Sequence, residues 1–162
     1  MLRKLYLVPV LALFLLPAIA KAQFEEGNWT LQLAGQGSND KDFESGQVAV
    51  QFDLGYFLTK EINVGVREAL DWNDGGSSWG TFTTLYVDYH FDMDRWQPFV
   101  GAFIGYAYGD GVDDDGNYGP EGGVKYFVNS TTFIAATVQY VLPFDSDNDE
   151  FWQYSVAVGW KW

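Results

Sequence analysis

Seven ionisable residues have types and spacings that could do chemistry together. They are the acids Asp53, Asp88 and Glu121, the bases Arg67, Lys125 and Lys161, and His90, the single histidine. Acids and bases that face one another in an enclosed space either neutralise each other or line a polar pore. Pairing is the default in a closed interior, because an unpaired buried charge costs several kcal/mol. A lone histidine suggests a general base, which needs a nucleophile in hydrogen-bond reach and an orienting partner. A second group, Asp113, Asp115, Asp145, Asp147 and Asp149, supplies the carboxylate oxygens that hard divalent cations take. The run Asp145 to Glu150 lacks the glycine and distal bidentate glutamate of an EF-hand loop. A solvated, self-repelling surface is the competing use of such charge. The chain has no cysteine, no Walker-type loop and no dinucleotide fingerprint.

The elements that position these groups are strands. Apolar and polar or small residues alternate with period two through most of the chain, the pattern of a strand with two unlike faces. Leu31 and Leu33 alternate with Gln32 and Ala34; Phe52 and Leu54 with Gln51 and Asp53; Val64 and Val66 with Asn63 and Arg67. Leu85, Val87 and Tyr89 alternate with Tyr86, Asp88 and His90, and Val100, Ala102 and Ile104 with Gly101 and Phe103. Val124 and Tyr126, then Ile134 to Tyr140, then Tyr154 to Trp162 continue the rule. Eight strands result, an even number as single-chain bacterial outer-membrane barrels require.

The connections alternate too. Residues 58–61, 92–95 and 127–130 are short turns. Residues 38–45, 71–80, 109–119 and 143–150 are longer and rich in Asp, Gly, Asn and Ser. Short periplasmic turns and long external loops are usual in membrane barrels. With both termini periplasmic, eight strands give three turns and four loops. The sequence thus predicts an all-β, antiparallel, up-and-down, eight-stranded transmembrane β-barrel.

Composition agrees with that reading. Aromatics make up 19% of the chain, more than a soluble domain of this size readily buries, and membrane barrels place them in interfacial girdles. The formal charge of −13 argues against the basic face that phosphate binding needs, so nucleic acid is not an expected partner. Arg3 and Lys4, the apolar run Leu5 to Ala20 and the small-x-small site Ala20-Lys21-Ala22 read as a secretory signal. Cleavage after Ala22 is expected, leaving one domain over 23–162. Most of the acids lie in the four longer loops, which predicts an acidic exterior.

Three segments carry a resemblance. Tyr154, Val156, Val158, Trp160 and Trp162 form a C-terminal alternation ending in an aromatic. It resembles the signal read by the barrel-insertion machinery, although Trp162 stands where Phe is usual. Gln97-Pro98-Phe99-Val100-Gly101-Ala102 and Gly122-Gly123-Val124-Lys125-Tyr126-Phe127 resemble the fifth and sixth strands of small outer-membrane barrels of the OmpA/OmpX/OmpW type. The resemblance implies the fold, a bacterial outer-membrane location, and contact with membrane lipid, lipopolysaccharide and the assembly machinery. It does not choose a function, since a shared fold hosts many.

Function is expected from two places. An eight-stranded barrel is just wide enough for side chains to fill it, so the ionic set is expected to plug the lumen. The loops are then left to act, in envelope structure, surface interaction or an outer-membrane complex. A small passive channel is the alternative. A lipid-modifying enzyme comes third: no serine follows His90 in the spacing of the lipid A deacylases, and His90 falls at the turn end, away from the outer leaflet. No cofactor is expected.

Overall fold

The computed structural model describes residues 23–40, 46–72, 79–109, 115–145 and 149–162. The expected signal segment lies outside them. Eight antiparallel strands form one closed barrel: β1 (Trp29–Asp40), β2 (Gly46–Phe57), β3 (Ile62–Trp72), β4 (Trp79–His90), β5 (Trp96–Tyr108), β6 (Asp115–Phe127), β7 (Thr132–Pro143) and β8 (Phe151–Lys161). Each strand pairs with its neighbours in sequence, and β1 closes against β8 through Thr30↔Lys161 to Asp40↔Phe151. Closure leaves no edge, which strands in hydrocarbon require. Among the described residues no helix is long and apolar enough to cross a membrane.

The strands run further than apolar alternation marks them. Residues 38–40, 71–72, 79–80, 115–119 and 143, read above as loop, and Phe127, read as turn, belong to β1, β3, β4, β6 and β7. Apolar alternation records only the part of a strand that faces hydrocarbon. Backbone pairing continues past it, because a ladder needs no particular side chain.

Turn chemistry holds the shorter connections. Thr59 Oγ1 accepts from the Glu61 and Ile62 amides at 3.2 and 3.0 Å. Asn129 Oδ1 accepts from the Thr131 and Thr132 amides at 2.9 and 2.8 Å. Such side chains stand in for backbone partners at tight turns. Asp94 takes the left-handed conformation, φ 63°, in the β4–β5 turn, which Asp tolerates better than most residues. At the β2–β3 turn, Glu61 lies 3.2 Å from the Lys60 ammonium and raises its pKa. The pair is exposed and contributes little to stability.

The outer wall is apolar. Leu33, Phe52, Val66, Leu85, Val100, Ile104, Val138 and Val156 all point outward and are exposed. Two belts of aromatics bound this band. Trp29 with Tyr56 and Trp96 with Tyr126 pack at ring separations of 4.9 and 4.6 Å at the turn end. Tyr118 with Phe144 and Tyr140 with Trp152 do so at the loop end, at 5.4 and 4.7 Å. Amphipathic rings favour the headgroup level of a bilayer. Glu68 also points outward near the loop end. Its carboxylate accepts from Thr83 Oγ1 at 2.6 Å and from the Tyr108 hydroxyl at 3.0 Å, so its charge is hydrogen-bonded where it meets the membrane edge.

Candidate functional site

Inward side chains form three storeys. At the turn end lies an aromatic floor of Phe24, Phe57, Phe127 and Phe133, all buried, with Ala135 and Ala157. The charged residues lie above it. Tyr86, Phe103 and Val141 form a second apolar cluster toward the loop end.

Arg67 organises the middle storey. It is 6% exposed and stands directly opposite Asp53 in the β2–β3 ladder. Its Nε donates to Asp53 Oδ2 at 2.8 Å. Its two terminal nitrogens take the Glu121 carboxylate as a fork, Nη2 to Oε1 at 2.8 Å and Nη1 to Oε2. Bidentate guanidinium–carboxylate pairs are among the strongest hydrogen-bonded ion pairs. Asp88 Oδ2 lies 3.8 Å from Nη2. The Tyr86 hydroxyl donates to the other Asp53 oxygen at 2.8 Å, and Gln139 Nε2 donates to Glu121 at 2.8 Å. The guanidinium also stacks 3.9 Å over the Tyr86 ring. One side chain from β3 thereby joins β2, β4 and β6 across the lumen, and Gln139 ties in β7 through Glu121.

Glycines make room for this arrangement. Gly55 and Gly65 are paired on β2 and β3, and Tyr86 lies against both. A Cβ at Gly55 would fall 2.6 Å from the Tyr86 hydroxyl, and one at Gly65 would overlap it. Gly101 sits between Asp88 and Glu121 in the β4–β5–β6 row, where a Cβ would collide with Asp88 Oδ1.

The other two bases stand apart from Arg67. Lys125 is buried at the boundary of the floor and the ionic storey. Its ammonium lies 5.3–6.0 Å from the ring centres of Phe24, Phe57, Phe99 and Phe133 and has no hydrogen-bond acceptor among the described residues. Lys161 lies at the turn end, bonded to the Gln23 carbonyl at 2.7 Å and to Asn28 Oδ1 at 3.2 Å. Strand alternation assigns a face but not a height along the barrel. The three acids therefore converge on one arginine rather than pairing off with three bases.

His90 points inward among rings, 5.2 Å from Phe99, 5.1 Å from Phe57 and 5.4 Å from Phe24. Neither ring nitrogen has a hydrogen-bond partner among the described residues. Of the acids considered as cation ligands, Asp113 and Asp147 lie outside the described residues. Asp115 is on β6, paired with Ala107, while Asp145 follows β7 and Asp149 precedes β8. Among the described residues no three His, Asp or Glu side chains are grouped to hold a metal ion. Tyr154, Val156, Val158 and Trp160 all point outward on β8. Trp162 exchanges backbone hydrogen bonds with Trp29, at 3.0 and 3.1 Å, at the seam.

Sequence reasoning missed Tyr86, Gln139 and Phe24. Tyr86 and Gln139 have the inward parity of Asp88 and Glu121, and the paired glycines facing Tyr86 were a usable signal for it. Nothing in the alternation pointed to Phe24, which precedes the first strand.

An apolar wall between aromatic belts, closed by strands around an ionic interior, defines a membrane-spanning β-barrel. The chain belongs to the outer membrane protein beta-barrel domain family, whose profile matches residues 7–162. Solved structures agree on the fold. The N-terminal barrel domain of Pseudomonas aeruginosa OprF superposes with a TM-score of 0.68 at 16% identity, over 85% of this chain and 98% of that one. OprG of the same organism gives 0.64 at 13% identity, over 88% and 99%. Neisserial surface protein A gives 0.60 at 15%, over 83% and 94%. No curated protein sequence matches the chain.

Proposed function

We propose that this protein is a non-enzymatic outer-membrane barrel, closed along its axis, that acts through its acidic loops. Its role is in envelope structure, in surface interaction or as a subunit of an outer-membrane complex. The observation that carries this reading is the Arg67 cross-link, which occupies the lumen with hydrogen bonds to Asp53 and Glu121. In this reading the bridge blocks the axial path, and contact with the surroundings falls to the loops and the lipid-facing wall. A catalytic role for His90 is disfavoured by its ring of phenylalanines and by its unbonded nitrogens. In this reading both termini and the short turns face the periplasm. The loops meet the anionic lipopolysaccharide layer, and the outward aromatics of β8 are read by the assembly machinery.

Orientation is the testable premise. The chain has no cysteine, so a single introduced thiol reports one site. Asp145→Cys is expected to react with a membrane-impermeant maleimide on intact cells, and Thr59→Cys only after the outer membrane is breached. The opposite pattern would place the acidic loops inside and remove the basis for a surface role.

A further inference from the structure

Residues 23–28, just ahead of β1, are folded into the barrel mouth. The Phe24 ring is buried, stacked on Phe57 at 4.1 Å with an interplanar angle of 15°. It also meets Phe127 at 4.9 Å, His90 at 5.4 Å and Phe133 at 5.5 Å. The backbone around it is tied down on three sides. The Gly27 amide donates to the Phe57 carbonyl at 2.9 Å. Lys161 holds the Gln23 carbonyl and Asn28, and the Gln23 side chain donates to Asp92 Oδ1 at 3.0 Å. Gly27, at φ +86°, makes the bend that turns the segment back into the opening.

Among the described residues, Thr30 Oγ1, both side-chain atoms of the Asn63 amide, both His90 ring nitrogens and Lys125 Nζ have no hydrogen-bond partner. The His90 ring and the Lys125 ammonium lie 5.4 and 5.5 Å from the Phe24 ring, and Thr30 and Asn63 come together at Gly55, within 3.0 Å of where its Cβ would stand. Each of these residues is at most 2% exposed. Buried polar groups are almost always hydrogen-bonded, to protein or to ordered water. Unpartnered polar groups gathered in one half of a barrel, an ammonium among them, are the partners that buried water takes.

We infer that Thr30, Asn63, His90 and Lys125 bound a hydrated chamber in the turn-end half of the barrel, and that residues 23–28 are its stopper. Phe24 supplies the apolar seal, and Lys161 and Asp92 are the tethers. The tethers are exposed or half-buried and made by few bonds, whereas the barrel wall is a continuous ladder. The segment therefore opens locally, with the wall intact.

His90 is the only histidine, which makes it a built-in reporter. The protein purified from outer membranes in detergent is treated with diethyl pyrocarbonate, and carbethoxylation of His90 is followed by peptide mass. Phe24→Ala is expected to speed modification by about tenfold or more, because a shielded group reacts in proportion to its open population. The folded barrel is verified by its heat-dependent gel mobility. Lys161→Met, which cuts the tether and spares the ring packing, is expected to give a smaller increase and decides the matter if Phe24→Ala does not fold. Equal rates in wild type and the folded variants would overturn the stopper. Conductance does not enter this experiment, so its result is separate from that of the plugged-lumen reading.

Discussion

Replacing Arg67 with methionine is expected to destabilise the barrel by about 3–5 kcal/mol, the usual cost of leaving a buried ionic partner uncompensated. The substitution keeps an unbranched stem of similar reach and removes only the guanidinium. Asp53 then keeps the Tyr86 hydroxyl and Glu121 keeps Gln139, but neither has a cation within bonding distance. Lys125 cannot replace Arg67 without leaving its cage of four phenylalanines. Urea unfolding in lipid vesicles, followed by tryptophan fluorescence, reads the loss. Adding Glu121→Gln to Arg67→Met removes one of the stranded charges and is expected to recover part of it. A single-variant loss below about 1 kcal/mol, the scale of exposed ion pairs, would mean that the bridge is solvated.

The second large effect is on the opposite face of the wall. Leu85 is 59% exposed in the middle of β4, between Val66 and Ile104 on the neighbouring strands. Leu85→Arg is expected to cost about 2–4 kcal/mol in the same vesicle assay, as for an arginine at the bilayer midplane of a barrel. Met93 is exposed to a similar degree but lies in the β4–β5 turn, beyond the aromatic belt. Met93→Arg is expected to cost about 0–1 kcal/mol, the value near the interface. Equal costs at the two positions would contradict the placement of the membrane band.

These two expectations rest on features of different legibility in the sequence. The wall was fully legible: Leu85, Val87 and Tyr89 alternate with Tyr86, Asp88 and His90, and a two-residue period assigns each side chain a face. Asp53 and Arg67 lie nearly equidistant from the Lys60 turn on adjacent strands, so the hairpin itself brings them opposite each other. The convergence of Glu121 on the same arginine was not legible. It depends on how far β6 is staggered around a closed barrel, a quantity set by closure rather than by any local pattern. Lys161 shows the same limit. Its parity is inward, but its place at the last residue of β8 takes it to Gln23 and Asn28 instead of the ionic storey. Phe24 lies outside any strand, so no periodicity marked it. Its burial becomes visible only once Phe57, Phe127 and Phe133 are brought to one end.

The storeys also explain the composition. A lumen of this width takes large inward residues only where a neighbour is small. Gly55 and Gly65 yield to Tyr86, Gly101 to Asp88 and Gly159 to Phe133. Much of the glycine content is therefore the complement of the inward aromatic and charged side chains, not a sign of empty space.

The central claim is that the lumen is closed at Arg67. Single-channel recording of the wild-type protein in a planar bilayer tests it most directly, with insertion verified by heat-dependent gel mobility of the recovered protein. A lumen closed at Arg67 leaves the membrane silent. Steady, reproducible openings from the inserted wild-type barrel would contradict it, make the interior a conducting pore, and move the search for function from the acidic loops back to the lumen.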